Sequence, residues 1–128
     1  MKKIVFLSVL VLAVTVLFSG CSKDDEAPKG SHKVVFKVIG SENAIISSVV
    51  YSNENGDPTS VTGIDANTWT SDELTIPSSA PVVVITAGGD SIDDNDATLT
   101  VQILVDGEVK KENTSTGPYL SAQTSYSF

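Results

Sequence analysis

From residue 33 onward, no stretch of eleven residues repeats its apolar positions with the period of a helix, whereas apolar and polar residues alternate repeatedly. Successive side chains of a strand point to opposite faces, so this alternation marks sheets with one face in a core. The cleanest case is Ala97, Leu99, Val101, Ile103 and Val105, interleaved with Thr98, Thr100 and Gln102. Val34, Phe36 and Val38 share one face of a first strand that Gly40 ends, and a second strand covers residues 44–52. Asn55-Gly56 then supplies the positive φ that a tight hairpin demands. Pro58 cannot donate to a ladder, which confines the short strand around residues 61–64 to an edge or its entry.

Trp69, Leu74 and Ile76 form the next segment, closed by Pro77 and Pro81. Val82-Val83-Val84-Ile85 is apolar on both faces and reads as a central strand, with Gly88-Gly89 as the turn that follows it. Asp106-Gly107 fits a two-residue hairpin turn, while a three-residue loop would pair Val109 with Val105; the residues leave both registers open. Residues 108–114 hold one apolar residue and two lysines, the usual protection of an edge strand. In the last strand Leu120, Ala122, Tyr126 and Phe128 share a face. Seven or eight short antiparallel strands between regular turns predict an all-β domain over residues 33–128, an immunoglobulin-like β-sandwich, with an open five-stranded barrel as the rival.

The apolar content of the chain is uneven. Lys2 and Lys3 precede an apolar run over residues 4–18 that stops at Ser19-Gly20-Cys21, the pattern of a secretory signal peptide over residues 1–20. A spanning helix would need about 20 apolar residues. Leu17-Phe18-Ser19-Gly20-Cys21 resembles the lipobox of bacterial lipoproteins, whose cysteine takes diacylglycerol as a thioether and becomes the mature N-terminus. Cys21 is the only cysteine, so no intramolecular disulfide can form. Residues 21–32 are polar and carry Pro and Gly without apolar period, which predicts a disordered acidic tether. Within it, Lys23-Asp24-Asp25-Glu26 resembles the export signal of surface-exposed lipoproteins in Bacteroidota-type bacteria. The expected localisation is the outer membrane, lipid-anchored and facing outward, with the membrane reached through the N-terminal lipid.

Four segments carry a further likeness: Tyr51-Ser52-Asn53-Glu54-Asn55-Gly56, Thr68-Trp69-Thr70, the run from Val105 through Asp106-Gly107 to Glu112, and Gly117-Pro118-Tyr119-Leu120-Ser121-Ala122. In order and spacing they resemble the MmpS-like small membrane-anchored β-sandwich proteins. In that family, N-terminally anchored actinobacterial members assist large lipid transporters. For this chain the resemblance implies fold and topology, with a lipidated cysteine in place of a helical anchor.

The formal net charge of −8 and the absence of arginine exclude a basic face for nucleic acid. His32, the only histidine, sits at the tether boundary, and no P-loop or Gly-x-Ser-x-Gly elbow accompanies it, so no catalytic residue and no cofactor are expected. Asp90, Asp93, Asp94 and Asp96 form the one dense set of oxygen ligands, of the kind calcium prefers. The segment lacks the Gly and terminal Glu of an EF-hand loop, and a solvated turn is the favoured reading. Trp69 could offer a sugar platform, although a single Trp in a sandwich is more often a core anchor. Two functions therefore stand: a non-catalytic accessory module for an envelope protein partner, and a surface glycan- or ion-binding module.

Overall fold

The computed structural model describes residues 30–77, 79–80 and 82–128. Cys21, Lys23, Asp24, Asp25 and Glu26 lie outside the described residues, as do the expected signal segment and most of the tether.

Among the described residues nine strands form two antiparallel sheets. They are β1 (His32–Gly40), β2 (Ala44–Ser52), β3 (Pro58–Ala66), β4 (Thr68–Thr70), β5 (Leu74–Ile76), β6 (Val82–Ser91), β7 (Ala97–Val105), β8 (Glu108–Gly117) and β9 (Tyr119–Ser127). One sheet has the order β4-β1-β7-β8, with β5 also on β1; the other has the order β3-β2-β6-β9. The fold is an all-β sandwich, and the chain crosses between its layers at most turns. Val34, Phe36 and Val38 of β1 and Leu99, Val101 and Ile103 of β7 are fully buried against Ile46, Val49, Val83 and Ile85 of the facing sheet. Each such side chain contributes about 1.5–3 kcal/mol relative to exposure.

The ninth strand arises because the Trp69 segment breaks in two. Thr70 pairs with Lys37 and Leu74 with Val34, so the strand facing β1 has one residue too many for a continuous ladder. Ser71 absorbs it, donating its N–H to the Phe36 carbonyl at 2.9 Å and accepting the Phe36 N–H on Oγ at 2.9 Å. Gly88 and Gly89 do not form the expected turn; both lie inside β6. There β2 carries a bulge between Ile46 and Ser48, and a Cβ on Gly89 would press into the Ile45 carbonyl. The glycine serves a close approach of two backbones. β6 lies between β2 and β9, the central place expected of it, and β3 is an edge strand.

The β7–β8 hairpin closes through the two-residue turn Asp106-Gly107, with Val105 opposite Glu108. A bulge at Lys110 then sets Lys111 opposite Ile103, and Asn113 and Ser115 opposite Val101 and Leu99. Those polar side chains point toward the other sheet and are used there: Asn113 Nδ2 donates to the Gln123 carbonyl at 2.9 Å, and Ser115 Oγ accepts the Ser121 N–H at 3.2 Å. The edge of β9 is thus covered by side chains of β8.

Candidate functional site

Strand lengths give the sandwich two poles. β1 starts at His32 and rises nine residues, about 30 Å at the usual strand rise. Its far end, the turn at residues 41–43, meets the acidic loop after β6 and the turn before β9. Ile92 N–H donates to the Asn43 carbonyl at 2.8 Å, and Ser91 N–H donates to the Pro118 carbonyl at 2.9 Å.

Within this distal pole the four candidate aspartates part company. Asp93 Oδ1 accepts from Ser91 Oγ at 2.9 Å, Asn43 Nδ2 at 3.1 Å and the Asn95 N–H at 3.1 Å. These donors favour the ionised form, Asn43 most strongly, and lower the Asp93 pKa to about 2. Asn43 Nδ2 also donates to the Asp96 carbonyl at 3.1 Å, and its Oδ1 accepts from Ser41 Oγ at 2.7 Å. Ser41 Oγ in turn accepts the Thr98 N–H at 3.0 Å. Asp93 is therefore the latch of the loop, fastened to the turn between β1 and β2. Among the described residues no three His, Cys, Asp or Glu side chains come together in a metal-holding arrangement, so Asp90, Asp94 and Asp96 are brought to one pole without converging on a point. Sequence reasoning missed Asn43 and Ser41, whose only signal was a polar turn fifty residues from the loop they hold.

At the pole where β1 starts, next to the expected tether, His32 Nδ1 lies 3.2 Å from Asp106 Oδ2, and the His32 ring stacks on Phe128 with centroids 4.7 Å apart. Asp106 Oδ1 accepts the Lys33 N–H at 3.0 Å. That bond first, and His32 second, hold the Asp106 carboxyl below the ordinary carboxylate range. The Lys110 ammonium lowers the Glu108 pKa in the same turn, and Glu108 raises that of Lys110.

Trp69 is not a fully buried core anchor but half-buried at the margin of the core, with its ring centroid 5.4 Å from that of Tyr51, which lies 5.4 Å from Phe36. The rings seal the flank where β3 and β4 leave the two sheets open.

The model of the family described as "Mycobacterium membrane protein" matches residues 5–126. The chain belongs to the Mycobacterium membrane protein family. Membership gives membrane association and an accessory envelope-type module, in line with the MmpS-like resemblance. No curated protein matches the chain. Among solved structures it is similar to the calcium-bound form of a protein from Parabacteroides distasonis seen by NMR. That match has 14% identity and a TM-score of 0.49, over 80% of this chain and 98% of the other. A DUF4425 domain from Bacteroides vulgatus matches at 16% identity and a TM-score of 0.40, over 80% and 98%. A DUF4425 family protein from Bacteroides ovatus matches at 17% and 0.41, over 77% and 94%.

Proposed function

We propose that this member of the Mycobacterium membrane protein family is an outer-membrane lipoprotein whose sandwich is a non-catalytic accessory module for an envelope protein partner. The observation that carries the reading is a membrane-protein family match running from residue 5 to residue 126, in a chain whose apolar leader ends on the single cysteine, Cys21. Acyl chains on that residue, at about 0.8 kcal/mol per buried methylene, would anchor the domain durably once more than one is attached. Lys23-Asp24-Asp25-Glu26 beside the lipid supports transfer to the outward-facing leaflet. A non-catalytic role is supported by where the scarce reactive groups go. The only histidine is engaged by Asp106 and Phe128, and the only cysteine is the lipid acceptor. Trp69, covered by Tyr51, makes a poor flat platform for a sugar.

The test separates anchor from address. Cys21→Ala should move the protein from the membrane pellet to the soluble fraction. Replacing Lys23, Asp24, Asp25 and Glu26 together by Ala should keep it in the pellet while protecting it from protease added to intact cells. Retention of Cys21→Ala in the pellet would refute lipid anchoring, and unchanged shaving of the tetrad variant would refute the export signal.

A further inference from the structure

Tyr119 is 83% exposed and Ile92 65% exposed, and among the described residues no other large apolar side chain is as open to water. Both stand at the distal pole. Tyr119 is the register partner of Asp90 on β6, and Asp90 is the partner of Ile45 on β2, so Ile45, Asp90 and Tyr119 form a row across the outer face of the second sheet. Ile92 follows two residues after Asp90, and its segment is joined to the Tyr119 turn by the Ser91–Pro118 hydrogen bond. Single exposed apolar residues are ordinary, but a group of them rimmed by polar groups marks a docking surface.

Charge says what would cover it. Asp90 lies within the row, Glu42 is exposed in the turn before β2, and Asp94 and Asp96 are exposed in the loop that carries Ile92, while the four lysines of residues 33–128 lie elsewhere in the sandwich. Lys33 donates to Thr75 and Lys110 is paired with Glu108, both toward the pole where β1 starts, and Lys37 and Lys111 lie within β1 and β8. The apolar group therefore stands in an uncompensated negative field, which repels anionic bilayer surfaces and steers cationic partners.

We propose that Ile92 and Tyr119, with Ile45 beside them, dock a cationic segment of a protein partner. Apolar side chains of the segment would cover Ile92 and Ile45, while a Lys or Arg reaches the Asp90 carboxylate and the face of the Tyr119 ring. The surface deepens the accessory-module reading and rests on it. It sits about one strand length from the start of β1, at the opposite end of the sandwich.

The probe is a fluorescent octapeptide of alternating Lys and Leu, with the matching Glu-Leu peptide as control. Binding is followed by anisotropy on the full lipidated chain in detergent. Ile92→Ser and Tyr119→Ser, both at exposed positions that leave the core intact, should each weaken Lys-Leu binding at least about tenfold, the effect of losing one interface anchor. Val109→Ser on β8 should leave it unchanged, and the Glu-Leu peptide should bind at least about tenfold more weakly than Lys-Leu. Three results would overturn the proposal: no binding of the Lys-Leu peptide, equal binding by all variants, or equal binding of both peptides. Loss only in Val109→Ser would also overturn it and move the interaction to the β8 edge, leaving the accessory-module reading intact.

Discussion

Asp93 shows how one side chain in a uniform acidic run acquires a distinct role. Its neighbours are aspartates too, and nothing in Asp90-Ser91-Ile92-Asp93-Asp94-Asn95-Asp96 distinguishes it until Asn43, fifty residues earlier, is brought beside it. That contact is long-range in sequence, which is why the acids were legible as a cluster and the latch was not. The linkage has a definite sign. The Asp93 pKa is lowered from 3.8 to about 2 in the folded protein, so its contribution to stability is complete above about pH 4 and is lost as pH falls toward 2. Asp93→Asn should therefore melt below the parent protein at neutral pH, with the gap in Tm narrowing between pH 4 and pH 2. Thermal scans from pH 2 to pH 7 decide the matter: a constant gap would mean that the three donors do not favour the ionised carboxylate in solution.

Among the elements, legibility followed the strength of the alternation. β1 and β7 were readable residue by residue because one face of each meets the core without interruption, as Leu99, Val101 and Ile103 show, while in β9 that face is buried only at Leu120 and Ala122. Ile103→Ala should cost about 2–5 kcal/mol in denaturant unfolding, since the site is sealed by both sheets and cannot collapse freely. β2 was readable in its bounds but not in its bulge, and β8 was harder, because a bulge changes which residues face inward without changing composition. The bulge at Lys110 turns Asn113 and Ser115 toward β9, and no periodicity in Glu108–Gly117 announces it. Gly88-Gly89 misled for a related reason: a glycine needed for close approach looks identical in sequence to one needed for a turn. The β8–β9 bridge is testable. Asn113→Ala and Ser115→Ala together should cost about 1–3 kcal/mol, two ordinary hydrogen bonds, and should speed hydrogen exchange at the Ser121 amide. Unaltered exchange there would mean the β9 edge is protected by other means.

At the scale of the whole molecule, the sandwich has two chemically different poles. β1 enters at His32, whose stack on Phe128 and contact with Asp106 gather the start of the first strand, the last residue and the β7–β8 turn at one pole. The opposite pole carries the acidic loop and the exposed Ile92 and Tyr119. The alternation marked residues 33–128 as the β domain, yet the proposed docking surface was not readable, because it draws on three turns distant in the chain. The polarity predicts how the protein is taken apart. The chain contains no arginine, so trypsin can cut only at its 8 lysines. Lys33 and Lys37 are held in a strand paired on both sides, by β4 or β5 and by β7, whereas Lys110 and Lys111 lie in the edge strand β8. Proteolysis requires local opening, and a doubly paired strand opens less readily than an edge. Lys23 and Lys29 belong to the segment whose composition reads as tether. Limited trypsin treatment of membranes should therefore cut first at Lys23 or Lys29, releasing a soluble fragment with residues 30–128 intact, then nick β8, and reach β1 last. Mass spectrometry of the released material over time checks the order. Cleavage at Lys110 or Lys111 before release would show that β8 is not held against β9, and early cleavage at Lys33 would show that the first strand is not anchored at the pole where it starts.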